Sequence, residues 1–393
     1  MFFSNLQKLL RQNIREYGMY IALFVIMAIF TFTTNGLFIS SRNISNLMNQ
    51  TGYIAVLAVG MTLVIVIRHI DLSVGFLAGF LGAVAAIALA FWHLPVLLVI
   101  LLVLGLGIIA GLANGFLVAQ MKIPSFVASL AGWLIYRGAI LLVTMGTGSI
   151  VISNVIFNAI GNGFIPDIPD IGILPGVHKI TLLLGLITII LFILNAISDR
   201  KKKQVYKFEV LTMDMFILQL VFVSALIGYI TWVLAGYQGL SWTLVIVLAV
   251  VVIYNFITTQ TTLGRHVYAV GGNPEAAELS GINVKKVIYL VFGSMGMLSG
   301  LSGILFASRL QSATTTAGSL FELDTIAAAY VGGVSAAGGV GKVVGSLIGA
   351  LVMMSLTNGM NLMGIDISLQ YIVRGAVLTV AVIFDVATRN RGK

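Results

Sequence analysis

Charged residues are scarce in this sequence. Only 9% of its 393 residues are Asp, Glu, Lys or Arg, whereas 59% are hydrophobic. A water-soluble domain usually carries about 25% charged residues. The deficit excludes an ordinary soluble domain and indicates that most of the chain lies in a lipid bilayer.

Cysteine is absent and histidine is rare. Without cysteine the chain can form no disulfide, no iron–sulfur ligation and no thiolate nucleophile. The four histidines are far apart in the sequence: His69, His93, His178 and His266. They do not have the spacing of metal ligands, and we expect this chain to hold neither a metal ion nor a cofactor.

Long hydrophobic runs make up most of the sequence instead. We place them at residues 19–38, 52–67, 73–92, 95–119, 125–145, 180–197, 215–235, 241–258, 287–308, 324–338, 343–361 and 367–386. Backbone amides in lipid need partners within their own segment, which favours helices. The alternating pattern of β-barrel strands is missing. We predict an all-α, polytopic membrane protein with ten to twelve hydrophobic segments, of which 324–338 is too short and glycine-rich to span alone.

The basic residues predict the orientation of these segments. With both termini in the cytoplasm, most Lys and Arg fall in inner loops and tails, including Lys201, Lys202 and Lys203. Cytoplasmic loops of membrane proteins carry such an excess of positive charge. This distribution explains the net charge of +9, and we expect no nucleic-acid partner.

Four polar stretches interrupt or precede the hydrophobic runs. Residues 1–18 predict an amphipathic helix on the inner membrane surface, with a disordered tail as the alternative. Residues 146–179 form the largest extracytoplasmic loop, where prolines oppose a regular helix. Residues 198–214 are a basic cytoplasmic insertion, and residues 259–286 are a second cytoplasmic loop. We expect residues 19–393 to form a single transmembrane domain.

No energy source and no catalytic group is visible in the sequence. The acidic residues fall near the predicted ends of spans, whereas ion-coupled transporters need acids or histidines inside them. The segment AAGGVGKVV (336–344) has Ala336 and Val343 where a phosphate-binding loop needs Gly and Ser or Thr. We therefore expect no enzyme. A passive channel fits, and so does one subunit of a pump whose ATPase is another protein.

The stretch GGNPEAAELSGINVKK (271–286) discriminates between these alternatives. It predicts a short helix with Asn273 as its N-cap, Pro274 at the first helical position and Gly281 at the stop. A capped cytosolic helix with a small-residue face is typical of a docking element, and an ordinary surface helix is the alternative. The predicted docking residues are Asn273, Pro274, Glu275, Ala276, Ala277, Glu278, Leu279, Ser280 and Gly281.

Several motifs give the chain a family resemblance. GRHVYAVGGNPEAAELSGINVKKV (264–287) is similar to the cytoplasmic coupling loop of ATP-binding-cassette (ABC) sugar importer permeases. Three further motifs agree with it: HIDLSVG (69–75), IPSFVASLAG (123–132) and ELDTIAAAYVGGVSAAGGVG (322–341). The family is the ribose, xylose and galactose group, which is related to the branched-chain amino acid permeases. In length and in its central basic insertion the chain most resembles the xylose or multiple-sugar permeases.

The resemblance implies a homodimeric permease in the inner membrane of a bacterium. A tandem-domain ABC ATPase would sit below it and bind ATP and magnesium, and a periplasmic or lipid-anchored sugar-binding protein would dock above. The helix of the coupling loop, here residues 259–286, would fit a cleft in the ATPase. One departure is Arg68-His69, where family members often carry an acidic residue. A facilitator or channel that works alone is one alternative, and an ABC permease for an autoinducer, a nucleoside or a branched-chain amino acid is another.

A sugar passage through the membrane needs hydroxyl and amide side chains along its wall. The candidates are Ser73, Asn114, Ser125, Ser129, Asn358, Asn361 and Gln370. Hydrogen bonds between helices are the alternative role for each of them. Arg137 and Arg374 lie well inside apolar runs, where an isolated cation is unfavourable. We therefore expect them to be paired within the bundle or to snorkel, in a structural role, with gating of the passage as the alternative role.

Two short segments share a sequence pattern. SVGFLAG (73–79) and VVGSLIG (343–349) have a Val, two Gly and a Leu at matching positions. Both have the small-residue spacing that lets helices approach closely. Internal duplication and convergent packing are both compatible with this pattern.

Overall fold

The computed structural model describes residues 14–169, 175–208 and 210–390. Almost all regular structure in these ranges is α-helical. The surface helix predicted over residues 1–18 lies mostly outside the described residues, so it stays a prediction.

Fifteen helices lie in the described ranges. The first seven are α1 (Ile14–Thr33), α2 (Ser41–Val66), α3 (Val74–Ala90), α4 (Val96–Ala119), α5 (Ser125–Thr144), α6 (Val155–Asn162) and α7 (Lys179–Val205). The next eight are α8 (Met213–Ala235), α9 (Trp242–Gln260), α10 (Thr262–Gly272), α11 (Pro274–Leu279), α12 (Val284–Leu310), α13 (Phe321–Val331), α14 (Val343–Leu362) and α15 (Ile367–Asn390). A 3-10 turn (Leu37–Ile39) and the strands β1 (Ser149–Val151) and β2 (Ser312–Thr314) complete the regular structure.

Nine of the described helices are long and apolar enough to cross a membrane: α2, α4, α5, α7, α8, α9, α12, α14 and α15. Two shorter apolar helices, α3 and the part of α1 from residue 18 to 33, coincide with predicted runs. The predicted all-α, polytopic class is confirmed. In the run 324–338, α13 has 11 residues and ends at Val331, which agrees with the expectation that this run does not span alone.

Internal contacts divide the chain into two compact units. One consists mainly of Ile39–Asn46 and Phe164–Ser241 and contains α7 and α8, and the other contains most of the remaining described residues. In the first unit α7 packs closely on α8, because Gly185 leaves room for the side chain of Thr231.

In the second unit, α12 is the central helix and packs against α3 and α4. Phe292 and Met295 on α12 are fully buried. A methyl group at Gly296 would overlap the carbonyl oxygen of Gly107 on α4, and one at Gly111 would overlap the carbonyl oxygen of Phe292. Glycine at these positions allows the two backbones to touch, which is how helices associate closely in membranes.

The short helix α13 packs against both α3 and α14. Gly79 on α3 lies against the carbonyl group of Ala317, just before α13 begins. Gly349 on α14 lies against the carbonyl group of Ala328, near the end of α13. The two segments that share a sequence pattern therefore each use a glycine to contact a backbone carbonyl group in or just before α13.

The outer loop predicted over residues 146–179 contains more regular structure than expected. Strand β1 pairs antiparallel with β2, with Ile150 opposite Ala313. Helix α6 begins after its N-cap Asn154 and ends at Asn162, before Pro166 is reached. In the second half of the loop, the described residues 163–169 and 175–178 contain no helix, as the prolines predict, whereas the first half contains α6.

The basic insertion at residues 198–214 begins as a continuation of a span. Helix α7 runs through Lys201, Lys202 and Lys203 to Val205. The guanidinium of Arg200 donates a hydrogen bond of 2.7 Å to the carbonyl group of Leu211, which ties the two sides of the insertion together.

Candidate functional site

The polar stretch between two spans contains α11, a helix of six residues. Asn273 is its N-cap, and the side-chain oxygen of Asn273 accepts a hydrogen bond of 3.0 Å from the backbone N–H of Ala276. Pro274 is at the first helical position, where no backbone N–H is needed. The helix and its N-cap lie where the sequence places them.

Helix α11 ends at a glycine with a left-handed backbone. Gly281 has a φ of +85°, and its N–H donates to the carbonyl group of Glu278 at 2.9 Å. The N–H of Ile282 donates to the carbonyl group of Ala277 at 3.0 Å. These bonds satisfy carbonyl groups that the end of a helix leaves free, so the direction of the chain after α11 is fixed.

The side chains of α11 face in two directions. Leu279 is 91% exposed, and Glu275 and Glu278 are exposed as well. Ala277 is 4% exposed and is buried within its own chain. The nine predicted docking residues therefore do not form one surface, because Ala277 packs inward and is not accessible to a partner.

Four of the predicted passage residues converge on the segment between α2 and α3. The amide of Asn114 donates to the hydroxyl of Ser73 at 3.0 Å, and this hydroxyl donates to the carboxylate of Asp71 at 2.6 Å. Ser125 and Ser129 on α5 form hydrogen bonds of 3.2 and 3.4 Å with the backbone of the same segment. These bonds join α3, α4 and α5, which supports the alternative role of hydrogen bonds between helices.

The other three passage candidates lie on α14 and α15. The amide of Gln370 donates to the side-chain oxygen of Asn361 at 2.8 Å. The amide of Asn358 donates to the side-chain oxygen of Gln50 on α2 at 3.4 Å. The structure thus separates the seven candidates into two groups and does not bring them into one site.

Both arginines inside apolar runs have partners. Arg374 on α15 lies 3.2 Å from the carboxylate of Asp324 on α13, and this ion pair is largely buried. Arg137 on α5 donates to the carbonyl group of Thr315 at 3.0 Å and lies 5.0 Å from the ring centroid of Phe76. The expectation of pairing within the bundle is therefore met for both side chains.

A cavity of about 310 Å³ lies beside the Asp324–Arg374 pair. Its lining residues come from α13, α14, α15 and the residue before α13: Leu320, Leu323, Asp324, Ala327, Met353, Tyr371, Arg374, Gly375 and Leu378. A second cavity of about 530 Å³, between α1, α13, α14 and α15, is lined mostly by apolar side chains. The smaller cavity is thus bordered by a carboxylate, a guanidinium and a phenol, and its volume is near the lower limit for small-molecule sites.

Two buried acids near these sites were not among the predicted site residues. Glu322 is 5% exposed and accepts a hydrogen bond of 3.0 Å from the indole of Trp133. Asp71 is 2% exposed and accepts the bond from Ser73. Both were placed near the ends of spans, and only the packing of neighbouring helices over them makes them buried.

The chain has clear relatives among known proteins. Residues 43–382 match the family described as branched-chain amino acid transport system, permease component. The xylose transport system permease protein of Haemophilus influenzae is 40% identical over 385 residues, which cover 98% of this chain and 99% of that protein. The corresponding protein of Escherichia coli is 37% identical over 391 residues, with coverages of 99% and 95%. The ribose import permease protein of Haemophilus influenzae is 34% identical over 373 residues, with coverages of 94% and 93%. No solved structure matches the chain significantly.

The matched range includes the loop at residues 259–286, both groups of passage candidates and the Asp324–Arg374 pair. They extend over nearly the whole chain for the sugar permeases. The resemblance read from the motifs is confirmed: the chain is a multi-pass membrane protein that belongs to the family of branched-chain amino acid transport system permease components.

Proposed function

We propose that this chain is the membrane-spanning permease subunit of an ABC importer for xylose or a related monosaccharide, in the inner membrane of a bacterium. The observation that carries the proposal is the 40% identity to a xylose permease protein over 98% of the chain. The 34% identity to a ribose permease protein supports a monosaccharide as the substrate. Because this identity is lower than the 40% to the xylose permease protein, it favours xylose over ribose.

The partners follow from the same proposal. The chain works as a homodimer, receives its sugar from a periplasmic or lipid-anchored binding protein, and is driven by a tandem-domain ATPase that binds ATP and magnesium. The permease itself supplies the passage and the contact to the ATPase. It performs no chemical step of its own.

The contact to the ATPase is made by the exposed face of α11. Leu279 is an apolar side chain that is 91% exposed, in a loop that the distribution of Lys and Arg predicts to be cytosolic. A partner that covers Leu279 removes apolar surface from water, which favours binding. Glu275 and Glu278 flank this position and offer hydrogen-bond acceptors at the rim of the contact.

The passage includes the cavity beside Asp324 and Arg374. Sugar hydroxyl groups both donate and accept hydrogen bonds, whereas a carboxylate only accepts and a guanidinium only donates. The pair therefore offers both partners that a hydroxyl group needs. Tyr371 adds an aromatic ring at the cavity wall. A permease must release its solute, so a few such contacts are enough.

ATP-dependent uptake in lipid vesicles tests the function. The full chain is reconstituted with its ATPase, and the sugar-binding protein is added with labelled xylose. We expect uptake that requires all three proteins and ATP. For Leu279→Asp we expect a normal level in the membrane, loss of the ATPase during purification, and uptake lowered by about tenfold or more, because a buried leucine contributes about 1.5–3 kcal/mol.

Leu279→Met is the matched control, because it keeps an apolar side chain of similar volume and should retain uptake. Xylose flux through the chain alone, without ATP or the ATPase, would instead identify a facilitator. ATP-dependent uptake of another solute in place of xylose would support the importer function but would show that the substrate is not xylose.

A further inference from the structure

We propose that Arg68 is a positioning residue that connects the coupling loop to residues 335–341, here called the glycine loop, and through them to α13. The inference rests on the proposed function, because it concerns how an ATPase bound at α11 acts on the passage. None of the sequence motifs assigns a role to Arg68 or to the glycine loop.

The side chain of Arg68 reaches from the end of α2 to the end of α10. Its Nε atom donates a hydrogen bond of 2.7 Å to the carbonyl group of Gly271, and its Nη2 atom donates to the carbonyl group of Gly272. These are the last two residues of α10. Carbonyl groups at a helix end lack partners and carry partial negative charge, which a cation stabilises. One guanidinium therefore completes α10 directly before the N-cap of α11.

The backbone of Arg68 is left-handed, with a φ of +64°. Residues other than glycine rarely adopt this conformation, because their Cβ atom approaches the neighbouring carbonyl oxygen. A glycine would fit the backbone better, so the benefit of arginine must come from its side chain. Unfavourable backbone conformations of this kind are found most often where a side chain has a function.

The glycine loop is hydrogen-bonded to α2 and α10 at the same place. The N–H of Gly339 donates to the carbonyl group of Val66, the last residue of α2, at 2.8 Å. The hydroxyl of Tyr268 on α10 donates to the carbonyl group of Gly341 at 2.6 Å. The coupling loop is thus joined to the glycine loop directly as well as through Arg68.

Glycines bring these three segments into close contact. A Cβ atom at Gly271 would overlap the carbonyl oxygen of Val66, and one at Gly338 would overlap the side chain of Arg68. Backbones in such close contact cannot slide past one another without a clash, since protein interiors are packed at high density. The end of α10, Arg68 and the glycine loop should therefore move as one body.

The other side of the glycine loop is bonded to α13 and α15. The N–H of Val334, the residue before the loop, donates to the carbonyl group of Ala329 on α13 at 3.0 Å. The carboxylate of Asp385 on α15 accepts hydrogen bonds from the N–H of Ala336 at 3.2 Å and from the hydroxyl of Ser335 at 3.3 Å. A displacement of the coupling loop therefore reaches both helices.

These two helices carry the ion pair at the cavity, Asp324 on α13 and Arg374 on α15. A relative shift of α13 and α15 changes the distance between the two charges and the width of the cavity. The connection from α11 to the passage is thus a continuous series of hydrogen bonds and backbone contacts. Contiguity alone does not demonstrate coupling between two sites, so the test measures coupling itself.

The test compares ATP hydrolysis with sugar uptake in the reconstituted complex. For Arg68→Ala we expect normal co-purification of the ATPase and nearly normal ATP hydrolysis, because the exposed face of α11 is unchanged. Xylose uptake per ATP hydrolysed should fall by about tenfold, which is typical of the coupling between linked sites. Arg68→Lys should recover part of this ratio, because a single ammonium group cannot match the planar fork of a guanidinium on two carbonyl groups.

Lys122→Ala is the control. Lys122 is an exposed cation with the same left-handed backbone, at φ +57°, and its removal should leave the ratio unchanged.

An unchanged ratio in Arg68→Ala would overturn the proposal. So would a parallel loss of ATPase association, hydrolysis and uptake, which would make Arg68 a structural cap only. If Arg68→Ala fails to reach the membrane, the same ratio is measured in Arg68→Gly, because glycine suits the left-handed backbone. The outcomes are then judged in the same way. Failure of the wild-type complex to take up xylose with ATP would be a failure of the proposed function instead.

Discussion

At the residue scale, Asp167 organises the segment in which α7 begins. Its carboxylate accepts hydrogen bonds of 3.0 Å from the N–H groups of Lys179 and Ile180. Desolvation acts to raise the pKa of Asp167, but these N–H groups lower it, and the result is a pKa of about 2. Because the pKa in the folded state is below the usual value of about 3.9, the carboxylate stabilises the segment above that value. The contribution is lost as the pH falls through about 2.

We expect Asp167→Ala to increase amide hydrogen exchange at Lys179 and Ile180, because both N–H groups lose their acceptor. In the unmodified chain, exchange at these amides, corrected for the intrinsic rate, should be constant from pH 7 to pH 5 and should rise below about pH 4. Asp366→Ala is the control, since the carboxylate of Asp366 accepts a hydrogen bond from the N–H of Ser368 at the start of α15. Unchanged exchange at Ile180 in Asp167→Ala would contradict this account.

Single residues also show what a sequence can predict. Asn273 and Gly281 cap α11 through residues that are close to them in the sequence. The caps could therefore be predicted from the local sequence alone. The partner of Arg374 could not, because Asp324 is 50 positions away and meets it only through the packing of α13 on α15. The burial of Ala277 is equally a result of packing, in this case against the chain around α11.

At the element scale, α13 is a short helix with a glycine contact near each end. Gly79 on α3 and Gly349 on α14 come from the two segments with matching sequence, and each touches a backbone carbonyl group. Such contacts fix where α13 begins and ends relative to its neighbours. The acids Glu322 and Asp324 lie in the first turn of α13, where the helix dipole favours negative charge.

We expect Gly349→Ala to destabilise the protein, because the added methyl group would overlap the carbonyl oxygen of Ala328. Overpacking of this kind typically costs about 1–3 kcal/mol. Gly105→Ala on α4 is the matched control, since no atom lies within 4 Å of its added methyl group, and alanine favours a helix by up to about 1 kcal/mol. Thermal unfolding of each variant in detergent measures the difference. A melting temperature of Gly349→Ala equal to that of Gly105→Ala would remove the support for a tight contact.

The elements themselves were largely predictable. Length and hydropathy are local properties, so the predicted runs coincide with helices over most of the chain. Helix α6 and the pairing of β1 with β2 were not predicted. Strand β1 is three residues long and gains its partner from β2, which is distant in the sequence. The hydrogen bonds of residues 335–341 to α2 and α10 were not predictable either, because their partners are distant in the sequence.

At the scale of the whole molecule, the orientation in the membrane stays a prediction from charge. The excess of Lys and Arg in one set of loops places α11 and both termini in the cytoplasm. It places α6, between β1 and α7, on the outer side. The absence of cysteine makes this testable, because a single introduced thiol is the only one in the chain.

We expect a cysteine introduced at Glu278 to react with a membrane-impermeant reagent only from the cytoplasmic side, and one introduced at Val155 only from outside. Both side chains are exposed, with Val155 at 81%. Labelling of right-side-out and inside-out vesicles gives the comparison, and the unmodified chain serves as the blank. Reaction of both positions from the same side would refute the orientation.

The close packing of α7 on α8 has a consequence for how the protein is made. The two helices follow each other in the chain and form a compact unit with few other segments. The ribosome completes this pair before α9 emerges, so the pair can leave the translocon as a finished hairpin. Helix α12, the central packing partner of α3 and α4, is synthesised only after α7, α8 and α9.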